Sequence, residues 1–297
     1  LSSHLSYIEA IVVGAFQGVT ELFPVSSLGH SVLIPALVGG RWAQDLNVSA
    51  PESPYLAFIV GLHVATAVAL LVFFWRDWLA IVGGLITSVR YRRVSTAAER
   101  LAWLIVLATI PVGLAGLALE HVFRTTLGRP VPAAAFLAIN GVVLYAGERL
   151  RRRTPVAATP AGKGSAPPDE RIAELPMAQG VLIGSAQILA LLPGISRSGV
   201  AMVAGLWRGL NHEEAARFSF LLATPVILAA GVLKIPDLFG PLGEGIHGQV
   251  MAGSVAAFVA AYLAVRFLTR YFETRTLTPF AIYCTVAGVG SLVWLLR

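Results

Sequence analysis

Six stretches of this 297-residue chain are apolar for long enough to cross a bilayer, and that leaves few folds open. A span needs about 20 mostly apolar residues to cover roughly 30 Å of hydrocarbon. Tyr55–Trp75, Leu101–Leu119, Val131–Gly147, Phe218–Ile235, Met251–Leu268 and Pro279–Leu296 qualify. Trp78–Val89 is too short to cross and reads as an interfacial or half-inserted segment. Composition agrees: 13% of residues are charged, against roughly 25% in ordinary globular chains. An all-α, polytopic membrane protein follows, and a nucleic-acid-binding domain, a disordered chain and a disulfide scaffold are excluded. The single cysteine, Cys284, forms no internal bridge and reads as a buried free thiol. Leu1–Phe16 lacks a basic n-region and contains Glu9, so it does not read as a cleavable signal peptide.

Two further apolar stretches are interrupted. Tyr7–Val38 contains Thr20, Glu21, Pro24, Ser26, Ser27, Gly29 and His30; Leu175–Leu210 contains Gln187, Pro193, Gly194, Ser196, Arg197, Ser198 and Gly199. Broken backbone at membrane depth survives only where protein buries it or water reaches it. Both stretches therefore read as re-entrant helical hairpins. Charge supports that topology. Sixteen of the 22 basic residues fall in Arg76–Arg100, Glu148–Glu174, Arg208–Arg217 and Arg266–Arg275, and five (Arg41, Arg124, Arg129, Lys234, Arg297) fall opposite. The positive-inside rule then places the N-terminus outside and Arg149–Glu174 in the cytoplasm, with the hairpins dipping in from opposite faces.

The Pro/Ala/Gly-rich tract Thr154–Pro168 divides two similar halves, each a hairpin followed by three spans. Residues 1–153 form the first repeat, 154–174 a cytoplasmic linker, and 175–297 a second, inverted repeat. Ala15-Phe16-Gln17 before Pro24 echoes Ala186-Gln187 before Pro193, with one residue inserted. Inverted repeats with discontinuous helices place a binding site near the midplane, where the breaks meet.

Ionisable residues at that depth are costly and usually functional. Gln17 and Glu21, four apart, share one helix face. Ser196, Arg197 and Ser198, between Gly194 and Gly199, resemble a phosphate clamp: glycines free backbone N–H groups, and the guanidinium grips phosphate oxygens with a planar fork. A phosphorylated amphiphile suits the pair of breaks. The plainer alternative is a buried Glu21–Arg197 ion pair, with the serines capping broken helix ends. His63, mid-span, reads equally as structural or as part of the cavity. His4, His121, His212 and His247 read as solvated, and Arg149–Arg153 as a topology determinant that also attracts anionic lipid.

Gln17–His30 (QGVTELFPVSSLGH) and Pro193–Gly199 (PGISRSG) resemble the two signature motifs of the bacterial undecaprenyl-pyrophosphate phosphatase, or bacitracin-resistance, family. Phe73–Asp77 (FFWRD), Phe218–Pro225 (FSFLLATP) and Pro279–Tyr283 (PFAIY) fit the same family. The resemblance implies a multi-pass protein of the bacterial plasma (inner) membrane that removes the terminal phosphate of a C55 lipid pyrophosphate, recycling the carrier for cell-wall synthesis. It implies Glu21, Ser27, His30 and Arg197 as catalytic residues. Gln17, Ser26, Gly194, Ser196, Ser198 and Gly199 would bind substrate, and Glu21 with Gln17 would hold Mg2+ or Ca2+. The nucleophile stays open between His30 and Ser27. Gln17 stands where the family has a first glutamate, and Leu28 where a small hydroxylated residue is common. An amide coordinates a cation more weakly than a carboxylate and cannot act as a base. The expected partners are the polyisoprenoid pyrophosphate and membrane lipids, with no nucleic acid; a homodimer stays open. The alternative function is a polyprenyl-phosphate flippase or carrier that has lost hydrolysis.

Overall fold

The structure, a computed structural model, describes residues 5–40, 54–153, 167–240 and 244–297. Most of the linker expected at Thr154–Pro168 lies outside the described residues, as do His4, Arg41 and the side chains of His121, Arg124 and Lys234. Every regular element among the described residues is helical. In chain order these are α1 (Tyr7–Leu22), α2 (Ser27–Val38), α3 (Pro54–Phe73), α4 (Trp75–Tyr91), α5 (Ala97–Leu127) and α6 (Pro130–Arg153). The second half has α7 (Pro168–Ala173), α8 (Met177–Ala186), α9 (Arg197–Trp207), α10 (His212–Phe239), α11 (His247–Thr274) and α12 (Thr278–Leu295). Five of them (α5, α6, α10, α11 and α12) are long and apolar enough to cross a membrane; α3 and α4 make a sixth candidate, bent by 86° at their junction. The bend turns α4 off the line of α3. Leu79, Val82, Ile86 and Val89 lie exposed along α4, as an interfacial helix requires.

Both expected breaks are present. A capping box starts α1: Ser6 Oγ accepts from the Glu9 N–H, and the Glu9 carboxylate accepts from the Ser6 N–H at 2.8 Å. Pro24 follows its last turn, and Ser26 caps α2 by accepting the Gly29 N–H. In the second half α8 tightens into a 3-10 turn, Gln187–Leu191, before Pro193 and Gly194. Gly194 has φ +111°, a conformation an L side chain rarely takes, and a Cβ there would come within 2.4 Å of the Ala133 carbonyl. Ser196 then caps α9 through the Gly199 N–H.

The halves pack reciprocally. α1 lies along α11 and α8 lies along α5, while α3 meets α10 and α6 meets α12. Small residues four apart permit the first two contacts. A Cβ on Gly14 or Gly18 of α1 would fall 2.2 Å or 2.3 Å from a carbonyl oxygen of α11; on Gly184 of α8 it would fall 1.9 Å from the Ala108 carbonyl. Gly180 receives the Leu104 side chain in the same way. Such spacing is how apolar helices approach closely where no hydrophobic effect separates them from lipid. The two glycine pairs share the same spacing within α1 and α8. Glu21 lies three residues after Gly18, and Gln187 three residues after Gly184.

The end of the bundle carrying most basic residues is tied by ion pairs. Arg217 of α10 joins Asp77 of α4 at 2.9 Å and both oxygens of Asp169 on α7. His212 corrects the sequence reading: it is buried, not solvated. Its Nε2–H donates to Glu148 at 2.7 Å, and Arg151 donates to its Nδ1 at 3.0 Å. Cys284 is a buried free thiol, as expected.

Candidate active site

The two breaks touch. Ser26 Oγ accepts N–H bonds from both Gly29 and Gly194, each at 3.2 Å, so the cap of one hairpin also receives the turn of the other. Ser198 Oγ donates to the Phe23 carbonyl. Asn140 of α6 closes the junction: its amide nitrogen donates to the Pro24 carbonyl at 3.1 Å, and its oxygen accepts the Ser196 N–H at 3.0 Å. Ser26 holds φ 70°, ψ 100°. A non-glycine residue there carries strain of about 1–3 kcal/mol, which the double acceptor role of its hydroxyl helps offset. Ser27, the first residue of α2, follows directly.

Glu21 is the hub. Its Oε1 accepts from Arg197 Nη2 at 2.7 Å. Its Oε2 accepts from Ser27 Oγ at 2.5 Å and from Gln17 Nε2 at 3.0 Å, and lies 3.3 Å from His63 Nε2. Gln17, Glu21, Ser27 and His30 are all buried. The helical spacing of Gln17 and Glu21 brings the two together as anticipated. The amide nitrogen of Gln17 serves as donor to the carboxylate and lies 3.2 Å from His63 Nε2. His63 Nδ1 donates to the Ile59 carbonyl at 2.8 Å, so Nε2 accepts from Gln17 when the ring is neutral and donates to Glu21 when it is doubly protonated. A glutamate at 17 would instead set two carboxylates about one hydrogen bond apart.

His30 is held on a second side of the junction. Its Nδ1 donates to the Ser26 carbonyl at 2.7 Å, leaving Nε2 to accept from Tyr283 Oη at 2.8 Å. The Phe16 ring packs 5.6 Å from it. Tyr283 is 46% exposed, so its hydroxyl separates a buried imidazole from the outer surface of the bundle.

Two polar atoms in this cluster are buried without a partner: Arg197 Nη1 and Gln17 Oε1. Orphaned groups of this kind cost free energy unless a ligand completes them. Arg197 therefore offers a free guanidinium N–H alongside the one bound to Glu21, the donor a phosphate oxygen requires. The expected glycine donors differ. Gly194 N–H is engaged by Ser26 Oγ, and Gly199 N–H by Ser196 Oγ at 3.1 Å. Ser196 and Ser198 bond each other at 3.0 Å. In this arrangement the second break presents the arginine, while its serines and glycines hold the turn.

No set of three or more His, Cys, Asp or Glu side chains among the described residues is arranged around a metal position. The protein donors near Glu21 are one carboxylate and the orphan amide oxygen of Gln17. That fits a hard cation that takes its remaining oxygens from phosphate and water, as Mg2+ commonly does.

Sequence reasoning missed Asn140 and Tyr283 and left His63 undecided. All three reach the breaks from helices distant in sequence. Tyr283 ends the PFAIY motif, which was a usable signal; Asn140 is the one polar residue within an otherwise apolar run, Ala133–Val143.

The chain is similar to known proteins along nearly its whole length. A family model described as "Bacitracin resistance protein BacA" matches residues 10–290. A protein named undecaprenyl-diphosphatase from Mycolicibacterium paratuberculosis is 75% identical over 302 residues, covering 99% of each chain. Its counterpart in Mycobacterium avium is 74% identical over the same length, again covering 99% of each chain. Undecaprenyl-diphosphatase 1 of Frankia casuarinae is 53% identical over 365 residues, covering 98% of each. With two polar hairpin breaks joined through Glu21 and Arg197 and a family match along nearly its whole length, the chain belongs to the bacitracin resistance protein BacA family.

Proposed function

We propose that this chain is an undecaprenyl-diphosphatase: it hydrolyses undecaprenyl pyrophosphate to undecaprenyl phosphate and inorganic phosphate at the bacterial plasma membrane. The observation that carries the reading is the Ser27–Glu21–Arg197 cluster, a hydroxyl bonded to a carboxylate beside a guanidinium with one free N–H. A nucleophile within hydrogen-bond reach of a base is the geometry covalent catalysis needs. Arg197 Nη1 grips the pyrophosphate and stabilises charge as the phosphoryl group moves. Ser27 passes its proton to Glu21 as Oγ bonds to the terminal phosphorus. The bridging P–O bond breaks and the lipid monophosphate leaves. Water then gives its hydroxyl to phosphorus, Ser27 Oγ takes back the proton held on Glu21, and the water's second proton passes to solvent. His30, with Nε2 as its acceptor atom, orients that water once Tyr283 yields.

Glu21 and Gln17 Oε1 are the residues that would hold a divalent cation, Mg2+ or Ca2+. A bound cation supplies charge neutralisation on the pyrophosphate oxygens. The apolar faces of α2 and α12 provide the surface for the polyisoprenoid chain. The halves 1–153 and 175–297 form an inverted repeat, supported by the reciprocal packing of α1 on α11 and α8 on α5. The charge bias sets the end of the bundle with α4 and α7 in the cytoplasm.

The test is phosphate release by purified protein from C15 or C55 pyrophosphate with Mg2+ present. Turnover in the wild type that is lost in Ser27→Ala supports the reading. Tight lipid binding with no phosphate release would overturn it in favour of a flippase or carrier.

A further inference from the structure

A second cationic feature lies away from the catalytic cluster. A cavity opens along one face of α11, with Leu263 and Phe267 on its apolar stretch and Arg266, Arg270, Tyr271 and Arg275 toward the helix end. From Leu263 to Arg275 the rise is roughly 18 Å at 1.5 Å per residue, enough for a lipid headgroup and the start of its chains. The wall is built rather than incidental. Phe267 stacks on Phe23 with centroids 6.0 Å apart and planes within 2°, and Tyr271 sets its edge to Phe280 at 5.5 Å. Phe267 and Leu263 are nonetheless about half exposed, at 52% and 58%.

The charges here are unmatched. Three arginines at this end of the bundle are satisfied within the protein: Arg217 by Asp77 and Asp169, Arg171 by Glu214, and Arg100 by the carbonyls of Ala173 and Leu175. Among the described residues the arginine ion pairs are those of Arg171, Arg197 and Arg217, and none joins Arg266, Arg270 or Arg275 to a carboxylate. Three unpaired guanidinium groups beside an apolar, half-exposed aromatic wall match one ligand chemistry, an anionic phosphate carried on a hydrocarbon chain.

We propose that this cavity binds an anionic phospholipid of the surrounding membrane. Its phosphodiester lies among Arg266, Arg270 and Arg275, and its proximal chain lies on Leu263 and Phe267. The site is separate from the catalytic cluster, with Phe23 between them: the Phe23 ring lines the far side of Phe267, and its carbonyl accepts from Ser198. The proposal does not rest on the hydrolase reading.

The test uses the full purified chain in detergent micelles doped with phosphatidylglycerol or phosphatidylcholine, with bound lipid counted by native mass spectrometry. The wild type should retain phosphatidylglycerol in preference to phosphatidylcholine. Arg266→Gln/Arg270→Gln/Arg275→Gln should weaken that retention at least about tenfold, since each basic residue near an anionic surface contributes appreciably. Arg90→Gln/Arg92→Gln/Arg93→Gln, which removes equal charge from the end of α4, should leave it intact. Equal retention of both lipids, an unaffected Arg266/Arg270/Arg275 variant, or an equal loss in the α4 variant would each overturn the proposal. So would displacement of phosphatidylglycerol by inorganic phosphate at matched concentration, which would make the site one for free phosphate. If the triple variant does not fold, Arg270→Gln alone should still lower retention measurably, and no change there would overturn it.

Discussion

Arg197→Lys separates the two tasks assigned to that arginine. The native guanidinium binds Glu21 Oε1 at 2.7 Å through Nη2 and keeps Nη1 buried without a partner. A single ammonium can stay on Glu21 or reach a phosphate oxygen, but it cannot hold both positions in the planar geometry that arginine presents. Pairing with Glu21 keeps the buried carboxylate compensated, so the variant should fold with a melting temperature near that of the wild type. Arg197→Met would strand Glu21, at a cost of about 3–5 kcal/mol. Catalysis is where lysine should fail. Removing one preorganised donor to transition-state charge typically costs about 10²–10³ in kcat, near 3–4 kcal/mol. Initial rates of phosphate release from C15 pyrophosphate over a range of substrate and Mg2+ concentrations measure this. The expected pattern is a kcat lowered by two orders of magnitude or more in a stable protein. A lysine variant with wild-type turnover would refute the clamp and make Arg197 a structural counter-ion.

Four further perturbations read other parts of the site. Gln17→Glu adds a second carboxylate beside Glu21, so the Mg2+ concentration for half-maximal phosphate release should fall, with a smaller change in maximal rate; no response to Mg2+ in either form would remove the cation from the account. Tyr283→Phe deletes the hydroxyl on His30 Nε2, and with one hydrogen bond worth about 1 kcal/mol the rate should change by roughly fivefold, its pH profile shifting with it. Asn140→Ala removes the two bonds through which α6 bridges the breaks and should lower the melting temperature through a loss of about 2–3 kcal/mol, read by thermal unfolding in detergent. Gly184→Val drives a side chain into the Ala108 carbonyl, and the yield of folded protein should collapse while Gly83→Val, in open space, is tolerated.

Much of this arrangement was legible in the sequence because membrane depth makes polar residues conspicuous. Glu21, Ser27 and Arg197 stood out as groups that hydrocarbon does not tolerate, and the structure brings Ser27 and Arg197 each within hydrogen-bond reach of Glu21. The glycines 194 and 199 were read as anion donors, yet their N–H groups are engaged by Ser26 and Ser196, because a broken helix must first satisfy its own ends. His63, Asn140 and Tyr283 could not be assigned. Their contacts with the breaks depend on which faces of α3, α6 and α12 turn inward, and near-uniform apolar helices carry little periodicity to say so. His212 failed for a similar reason: its partner Glu148 lies on α6, and nothing local marks that carboxylate as buried. The glycine pairs 14/18 and 180/184 were readable as close helix contacts from their four-residue spacing.

The central claim is that Ser27, activated by Glu21 and faced by Arg197, attacks the terminal phosphorus. Phosphoenzyme trapping tests it most directly. Protein mixed with pyrophosphate substrate labelled in its terminal phosphate would be quenched within milliseconds, in acid to preserve a phosphoserine and in base to preserve a phosphohistidine. The label should survive acid, map to Ser27, and vanish in Ser27→Ala and Glu21→Gln. Acid-labile, base-stable label on His30, or phosphate release with no label on the protein under either quench, would contradict the account.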